Sequence, residues 1–185
     1  MKLLSFISVT VLGAAFAVWF VIGLVADQPP LEGWMTQFTL NDPPLPAPES
    51  ELRTVVGEPV TLAAYKDKIV LVNIWATWCV PCVREMPSLD RLQASFDKEN
   101  FLILAVSVDR GGAVKVVPFL KKHGIRNITT LLDQSMRLAS ALRVPGMPTS
   151  FMLDRDGRVV GSLAGIAEWD SKEAIALVRY YLEKG

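Results

Sequence analysis

The feature that most constrains the fold is the stretch from Ile69 to Pro87, which reads IVLVNIWATWCVPCVREMP. It opens with seven uncharged residues, Ile69 to Trp75, in a pattern typical of a strand buried on both faces. After Cys79 the apolar residues recur at spacings of three and four, as on the buried face of a helix. These residues are Val83, Met86, Leu89, Leu92 and Phe96. The sequence therefore predicts a central strand, a loop with Cys79, and a helix over Pro81 to Phe96.

The spacing of the two cysteines indicates redox chemistry rather than a structural crosslink. Cys79 and Cys82 are the only cysteines in 185 residues. A bridge across so short a loop adds little stability, because the entropic effect grows with loop length. A thiolate at the first turn of a helix is stabilised by free N–H groups and by the helix dipole. We expect Cys79 to attack and Cys82 to resolve the mixed disulfide. Two unrelated buried cysteines are the alternative.

The N-terminal segment predicts a membrane anchor. Leu3 to Val25 contains no charged residue and lies between Lys2 and Asp27. A helix of this length spans a hydrocarbon core of about 30 Å. A cleaved signal peptide is the alternative, with small residues at Ala15 to Ala17, but the apolar run continues beyond them. The positive-inside rule places Lys2 in the cytoplasm and the following chain outside the cytoplasmic membrane, in the periplasm.

The rest of the chain divides into a proline-rich segment and one domain. Residues 27–50 hold six of the 12 prolines, which predicts a linker between the anchor, residues 1–26, and a domain over residues 51–185. Trp34 and Phe38 could rest at the membrane interface or pack on the domain. The 19 basic residues balance 19 acidic ones, so no basic field exists to attract nucleic acid.

Residues 51–185 alternate between short strands and helices, as in an α/β domain. A β-hairpin is predicted over residues 53–62, and a second one turns at Gly157. The further predicted strands are Phe101–Val108, Thr129–Leu132, Ser150–Leu153 and Val159–Leu163. The further predicted helices are Ala113–His123, Gln134–Leu142 and one after Asp170, with Glu173 in a capping box.

Three segments resemble a known family: WATWCVPCVREMPSLDRLQ, GMPTS and GIAEW. They are similar to the membrane-anchored thioredoxin-like thiol:disulfide interchange proteins of the TlpA, ResA and CcmG group, and the last two are most similar to TlpA. VPGMPTS stands in place of a GVxGxPET-like segment, which argues against the CcmG branch. The resemblance implies a thioredoxin-like α/β fold: a central mixed β-sheet flanked by helices, with an N-terminal β-hairpin and a helical insertion.

The same resemblance implies a substrate-binding site around the cysteines. The bond between Met147 and Pro148 is expected to be cis and to face the cysteine pair, with Thr149 following. The backbone there would be free to pair with a client polypeptide by β-augmentation. Trp78 is expected to form the apolar rim of this site, and Pro81 lies between the cysteines, where a first helical turn tolerates proline.

Glu85 is the candidate proton carrier. Asn73 lies where thioredoxin has a buried aspartate, and an asparagine cannot take up a proton. Glu85 follows Cys82 by three residues, on the same helix face, and matches a glutamate of ResA-like members. If partly buried, it would have a raised pKa suited to proton exchange with Cys82. A solvated glutamate near a helix N-terminus is the alternative. Trp169, within GIAEW, is expected to be structural.

The leading functional hypothesis is a membrane-tethered protein-disulfide reductase without a cofactor other than the redox-active Cys79–Cys82 disulfide. The resemblance implies clients in cytochrome c maturation or in copper-site assembly of respiratory oxidases, and a membrane thiol electron donor as partner. A dithiol oxidase is one alternative, because CxxC alone does not set the direction of electron flow. A Cu(I) chaperone is another, since cysteine pairs bind Cu(I), although the single histidine, His123, is distant in sequence.

Overall fold

The computed structural model describes residues 28–184, which form one eight-stranded sheet and four α-helices. The strands are β1 Thr39–Pro46, β2 Leu52–Thr54, β3 Pro59–Val60, β4 Ile69–Trp75, β5 Phe101–Ser107, β6 Thr129–Leu132, β7 Thr149–Leu153 and β8 Arg158–Ala164. The helices are α1 Val80–Ala94, α2 Ala113–His123, α3 Arg137–Ala141 and α4 Lys172–Lys184. Two 3-10 helices cover Gly33–Gln37 and Leu62–Tyr65.

The predicted anchor, residues 1–26, lies outside the described residues. Between residues 28 and 184, none of the helices combines the length and the apolar character that crossing a membrane requires.

The sheet is mixed, and its strand order is β1-β8-β7-β4-β5-β6-β2-β3. β4, β5 and β6 run parallel, while β7 and β8 are antiparallel neighbours on one side. The predicted hairpin is present as β2 and β3, and β2 also pairs with β6. The predicted central mixed sheet is therefore confirmed.

β4 lies near the middle of the sheet because its side chains are apolar on both faces. All seven of its residues are buried, as are all seven of β5, its parallel neighbour. α1 contacts β5, and α4 contacts β4, so both strands are covered by helices. The sheet thereby holds the C-terminal end of β4, where the cysteine loop begins, in a fixed position.

The prediction that residues 27–50 form a spacer is wrong for residues 33–46. β1 pairs with β8 as an antiparallel edge strand, and its prolines are tolerated because an edge strand needs few N–H donors on its outer side. Phe38 is 3% exposed and packs on the domain, whereas Trp34 is 43% exposed. Gly161 leaves the space that the Phe38 ring fills, since a Cβ at position 161 would lie 2.4 Å from that ring.

Two predicted helix starts also shift. The helix predicted from Gln134 begins at Arg137, because Met136 has a left-handed φ of 56° and the Asp133 carboxylate accepts the Arg137 N–H at 2.8 Å. The last helix begins at Lys172 with Ser171 as its cap, since the Ala174 N–H donates to Ser171 Oγ at 3.3 Å. The Asp170 carboxylate instead pairs with Arg91.

Candidate active site

The two cysteines lie where β4 gives way to α1, at the C-terminal edge of the parallel strands. They are joined by a disulfide with an S–S distance of 2.08 Å. Cys79 caps α1: its Sγ accepts a hydrogen bond from the Cys82 N–H at 3.3 Å. Cys79 is 7% exposed and Cys82 1%, so the first cysteine is the more accessible residue. A thiolate at Cys79 is placed to gain from the helix N-terminus, whereas Cys82 is enclosed.

Asp109 holds the loop that leads into Cys79. Its buried carboxylate accepts the Thr77 N–H at 2.8 Å and the Thr77 hydroxyl at 2.7 Å. It also accepts the Ser107 hydroxyl at 2.8 Å, which ties it to the end of β5. The Cys79 N–H closes the loop by donating to the Ala76 carbonyl at 3.1 Å. The position of the first cysteine is thus anchored to the neighbouring parallel strand.

Glu85 is buried on the inner face of α1. The residue is 2% exposed, and its Oε1 accepts a hydrogen bond from the indole N–H of Trp169. The pKa of the Glu85 carboxyl is raised to about 8, mainly because burial disfavours the anion. Hydrogen bonds from the Trp169 side chain and the Ala167 backbone act in the opposite direction, and the charge of Glu168 adds a smaller rise. The alternative of a solvated glutamate is therefore wrong.

Asn73 is also buried, at the level of the sheet below the cysteine loop. Its side-chain N–H donates to Ser150 Oγ at 3.0 Å, across the ladder between β4 and β7. An amide in this pair fixes the two strands but carries no titratable proton. Within residues 28–184, this helix carries two buried carboxyls, Glu85 and Asp90. Asp90 accepts the backbone N–H groups of Arg126 and Asn127, and Glu85, three positions after Cys82, is the one nearer the cysteines.

The segment with Met147 and Pro148 reaches the same edge of the sheet. The bond between them is cis, as expected. Thr149 pairs with Ile74 in the antiparallel ladder, which places Pro148 beside the end of β4. Pro148 is buried, Thr149 donates its hydroxyl to Gly146 at 2.7 Å, and no backbone hydrogen bond among the described residues uses Met147.

Trp78 projects from the cysteine loop and is 66% exposed. With Met136, Arg110 and Lys115 it lines an open, largely apolar groove beside the loop. Pro81, on the first turn of α1, is exposed as well. The surface around Cys79 therefore offers apolar contact area to a polypeptide.

The predicted site residues converge at one edge of the sheet, and two further residues belong with them. Asp109 and Trp169 were not predicted as part of the site; each contacts it from a segment distant in sequence. Asp109 has a sequence signal, because it directly follows a buried parallel strand, where sites form in α/β sheets. Within the described part of the chain, no three His, Cys, Asp or Glu side chains form a metal-binding group.

Comparison with known proteins agrees with this geometry. The sequence matches the Redoxin family over residues 42–177. The thiol-disulfide oxidoreductase ResA of Bacillus thuringiensis (strain Al Hakam) is 30% identical over 119 residues, covering 64% of this chain and 68% of that protein. ResA of Bacillus subtilis (strain 168) is 32% identical, covering 64% and 65%. A crystal structure from Chlorobium tepidum, described as a candidate thiol:disulfide interchange protein DsbE, has a TM-score of 0.67 and 27% identity, covering 75% of this chain and 96% of that one.

Proposed function

Because this chain belongs to the Redoxin family and is a thiol:disulfide oxidoreductase, we propose that it reduces disulfides in client proteins. The observation that carries the proposal is the Cys79–Cys82 pair at the start of α1, with Cys79 Sγ on the helix N-terminus and Cys79 the more exposed of the two residues. The helix N-terminus stabilises a thiolate at Cys79 specifically. This arrangement favours Cys79 as the nucleophile that meets a client.

The reaction proceeds in two exchange steps from the dithiol form. The Cys79 thiolate attacks a client disulfide, forming a mixed disulfide and releasing one client sulfur, which takes up a proton. The Cys82 thiolate then attacks Cys79 Sγ and releases the second client sulfur. Two electrons pass to the client, and the protein is left with the Cys79–Cys82 disulfide. No bound cofactor takes part.

Glu85 serves as the acid–base group for Cys82. The two residues are three positions apart on α1, so their side chains share one helix face. A buried carboxyl with a pKa of about 8 changes protonation state within the pH range where thiols titrate. It accepts the Cys82 proton when the disulfide closes and returns it when the pair is reduced.

The client segment lies between the Met147–Pro148 segment and Trp78. The free backbone groups of Met147 support pairing with an extended chain, and the exposed Pro81 borders the same surface. Thr149 is buried and supports this segment through its hydrogen bond to the Gly146 carbonyl. The exposed Trp78 ring provides apolar contact on the other side of Cys79. This site recognises a client mainly through its backbone, which suits proteins that present a cysteine pair in an unfolded or flexible segment.

The setting of this activity is the periplasmic face of the cytoplasmic membrane. Residues 1–26 form the proposed anchor with its N-terminus in the cytoplasm, on the strength of the uncharged run and Lys2. Clients are apocytochromes c or proteins of oxidase copper-site assembly, and a membrane thiol donor re-reduces the pair. The segments GMPTS and GIAEW support membership of the TlpA branch of the group.

The direction of electron flow is tested by the reduction potential of the Cys79–Cys82 pair, measured in glutathione buffers with tryptophan fluorescence as readout. We expect a value near the roughly −270 mV of thioredoxin, as a reductant requires. A value near the roughly −120 mV of a strong periplasmic oxidant would reverse the proposed direction.

The exchange chemistry is tested by trapping clients in cells. Cys82→Ser removes the resolving thiol, so mixed disulfides on Cys79 should accumulate and dissolve on reduction. Cys79→Ser is the matched control, since it keeps one thiol but removes the nucleophile, and it should trap far less. Equal recovery from both variants, or none from Cys82→Ser, would contradict the proposed roles.

A further inference from the structure

Trp169 joins the segment after β8 to the buried face of α1 by two hydrogen bonds. Its indole N–H donates to Glu85 Oε1, and its backbone N–H donates to Ser88 Oγ at 3.1 Å. Glu85 and Ser88 are three positions apart on the helix, so the two bonds fix both the ring and the backbone of Trp169. The ring is fully buried, which excludes water as a competing partner for the carboxyl.

The same contact makes the two oxygens of Glu85 unequal. Oε1 accepts the indole N–H, whereas Oε2 is buried and makes no hydrogen bond of ordinary geometry among the described residues, with the Ala167 backbone N–H as the nearby donor to this carboxyl. An indole N–H is only a donor, and in a neutral carboxyl the carbonyl oxygen is a stronger acceptor than the hydroxyl oxygen, so the oxygen that contacts the indole is the carbonyl one. In the neutral carboxyl the proton therefore resides on Oε2.

We propose that Trp169 is a positioning residue that makes Glu85 Oε2 the single site of proton exchange with the active-site dithiol. This inference rests on the proposed acid–base role of Glu85 and goes beyond the structural role expected for GIAEW. When Cys82 loses its proton to Glu85, the indole stays on Oε1 and Oε2 is the atom that gains hydrogen. A donor on Oε1 also stabilises the anion, so it keeps Glu85 able to ionise despite its burial.

Among the described residues, the charged groups near Glu85 do not donate a hydrogen bond to its carboxyl as Trp169 does. Glu168, adjacent in sequence to Trp169, disfavours the Glu85 anion by its charge. Asp170 is paired with Arg91 at 2.6 Å. Arg84 directly precedes Glu85 on α1, and Asp90, further along the helix, accepts the N–H groups of Arg126 and Asn127. The other titratable groups at this end of α1 are the two cysteines.

The test is the pH dependence of the rate at which the reduced full-length protein reduces oxidised glutathione. Trp169→Phe removes the donor to Glu85, so the midpoint of the pH–rate profile that is assigned to Glu85 should move to higher pH by about one unit. This is the shift expected from losing one hydrogen bond to a charged group. In a Glu85→Gln background this midpoint should be absent, and Trp169→Phe should then change nothing.

Trp75→Phe is the matched control. Trp75 is also fully buried, but its indole N–H has no partner among the described residues. The same atoms are deleted without loss of a hydrogen bond, so the pH profile should match that of the wild type. If Trp169→Phe does not fold, replacing Trp169 with benzothienylalanine keeps the ring shape, removes the N–H and carries the same prediction.

The outcomes separate the two proposals. If Glu85→Gln abolishes the midpoint but neither replacement of Trp169 shifts it, Trp169 is merely structural. If Glu85→Gln leaves the midpoint in place, Glu85 is not the proton carrier and both ideas fail. If Trp75→Phe shifts the profile as much as Trp169→Phe, the effect comes from packing and the inference is overturned.

Discussion

At the scale of single residues, Asp109 shows how a buried carboxylate can organise a redox loop without touching the reacting sulfurs. It accepts three hydrogen bonds, two of them from Thr77, which lies two residues before Cys79. Neutral donors around a buried carboxylate compensate its desolvation, so removing the carboxylate leaves several polar groups unsatisfied. The loop would then lose the contacts that fix the approach to Cys79.

Replacing Asp109 with alanine should lower the free energy of unfolding by about 2–4 kcal/mol. It should also slow the reduction of oxidised glutathione by the folded protein about tenfold, because the cysteine loop is no longer held. Urea unfolding and single-turnover kinetics at a temperature where the variant is folded measure the two effects.

Asp133→Ala is the control for this prediction. Asp133 is likewise a buried carboxylate after a parallel strand, but it accepts the N–H groups of Arg137 and Ala139 at α3. Asp133→Ala should lower the free energy of unfolding by a similar amount and leave the rate of glutathione reduction by the folded protein unchanged. Equal rates in the two variants would mean that Asp109 supports the fold only.

The residues of the site differ in how far sequence alone could identify them. Cys79 and Cys82 follow from their spacing after a buried strand, and Glu85 follows from helix periodicity. Asp109 bonds to Thr77, 32 positions away in sequence, and Trp169 bonds to Glu85, 84 positions away. No local pattern encodes such contacts, because they depend on how separate elements pack.

At the scale of secondary-structure elements, β1 is the informative departure. Its prolines predict an extended linker. The segment is extended, but it pairs with β8 instead of lying free in solvent. A proline lacks a backbone N–H donor and has a fixed φ, and an edge strand tolerates both properties. The interior strands β4 and β5 were predictable because burial on both faces leaves an uncharged run.

Phe38 is the side chain that should attach this segment to the domain. Phe38→Ala empties a buried ring site over Gly161 and should lower the free energy of unfolding by about 3–5 kcal/mol. Trp34→Ala, four residues earlier and half-exposed, should cost at most about 1 kcal/mol. Urea unfolding of a form lacking residues 1–27 gives both values. A small loss for Phe38→Ala would mean that the segment adds no stability in solution.

At the scale of the whole molecule, a buried acid on the redox helix links global stability to pH. The unfolded chain ionises Glu85 near its ordinary pKa of 4.5, whereas in the folded protein the pKa of this carboxyl is about 8. Between these values the unfolded state has lost a proton that the native state keeps. Stability from this group is therefore complete below about pH 4.5 and declines as the pH rises to about 8.

This linkage predicts a loss of up to about 5 kcal/mol in the free energy of unfolding between pH 4.5 and 8 that depends on Glu85. Glutamine at position 85 cannot ionise, so the stability of Glu85→Gln does not carry this pH dependence. The free energy of unfolding of the variant relative to that of the wild type should therefore be higher at pH 8 than at pH 5. Glu58→Gln makes the same chemical change on the exposed hairpin and should leave the wild-type slope intact. Urea unfolding of the oxidised protein across this range tests the prediction without any thiol chemistry. Parallel slopes for wild type and Glu85→Gln would show that Glu85 ionises normally in the native state, and the acid–base role proposed for it would lose its physical basis.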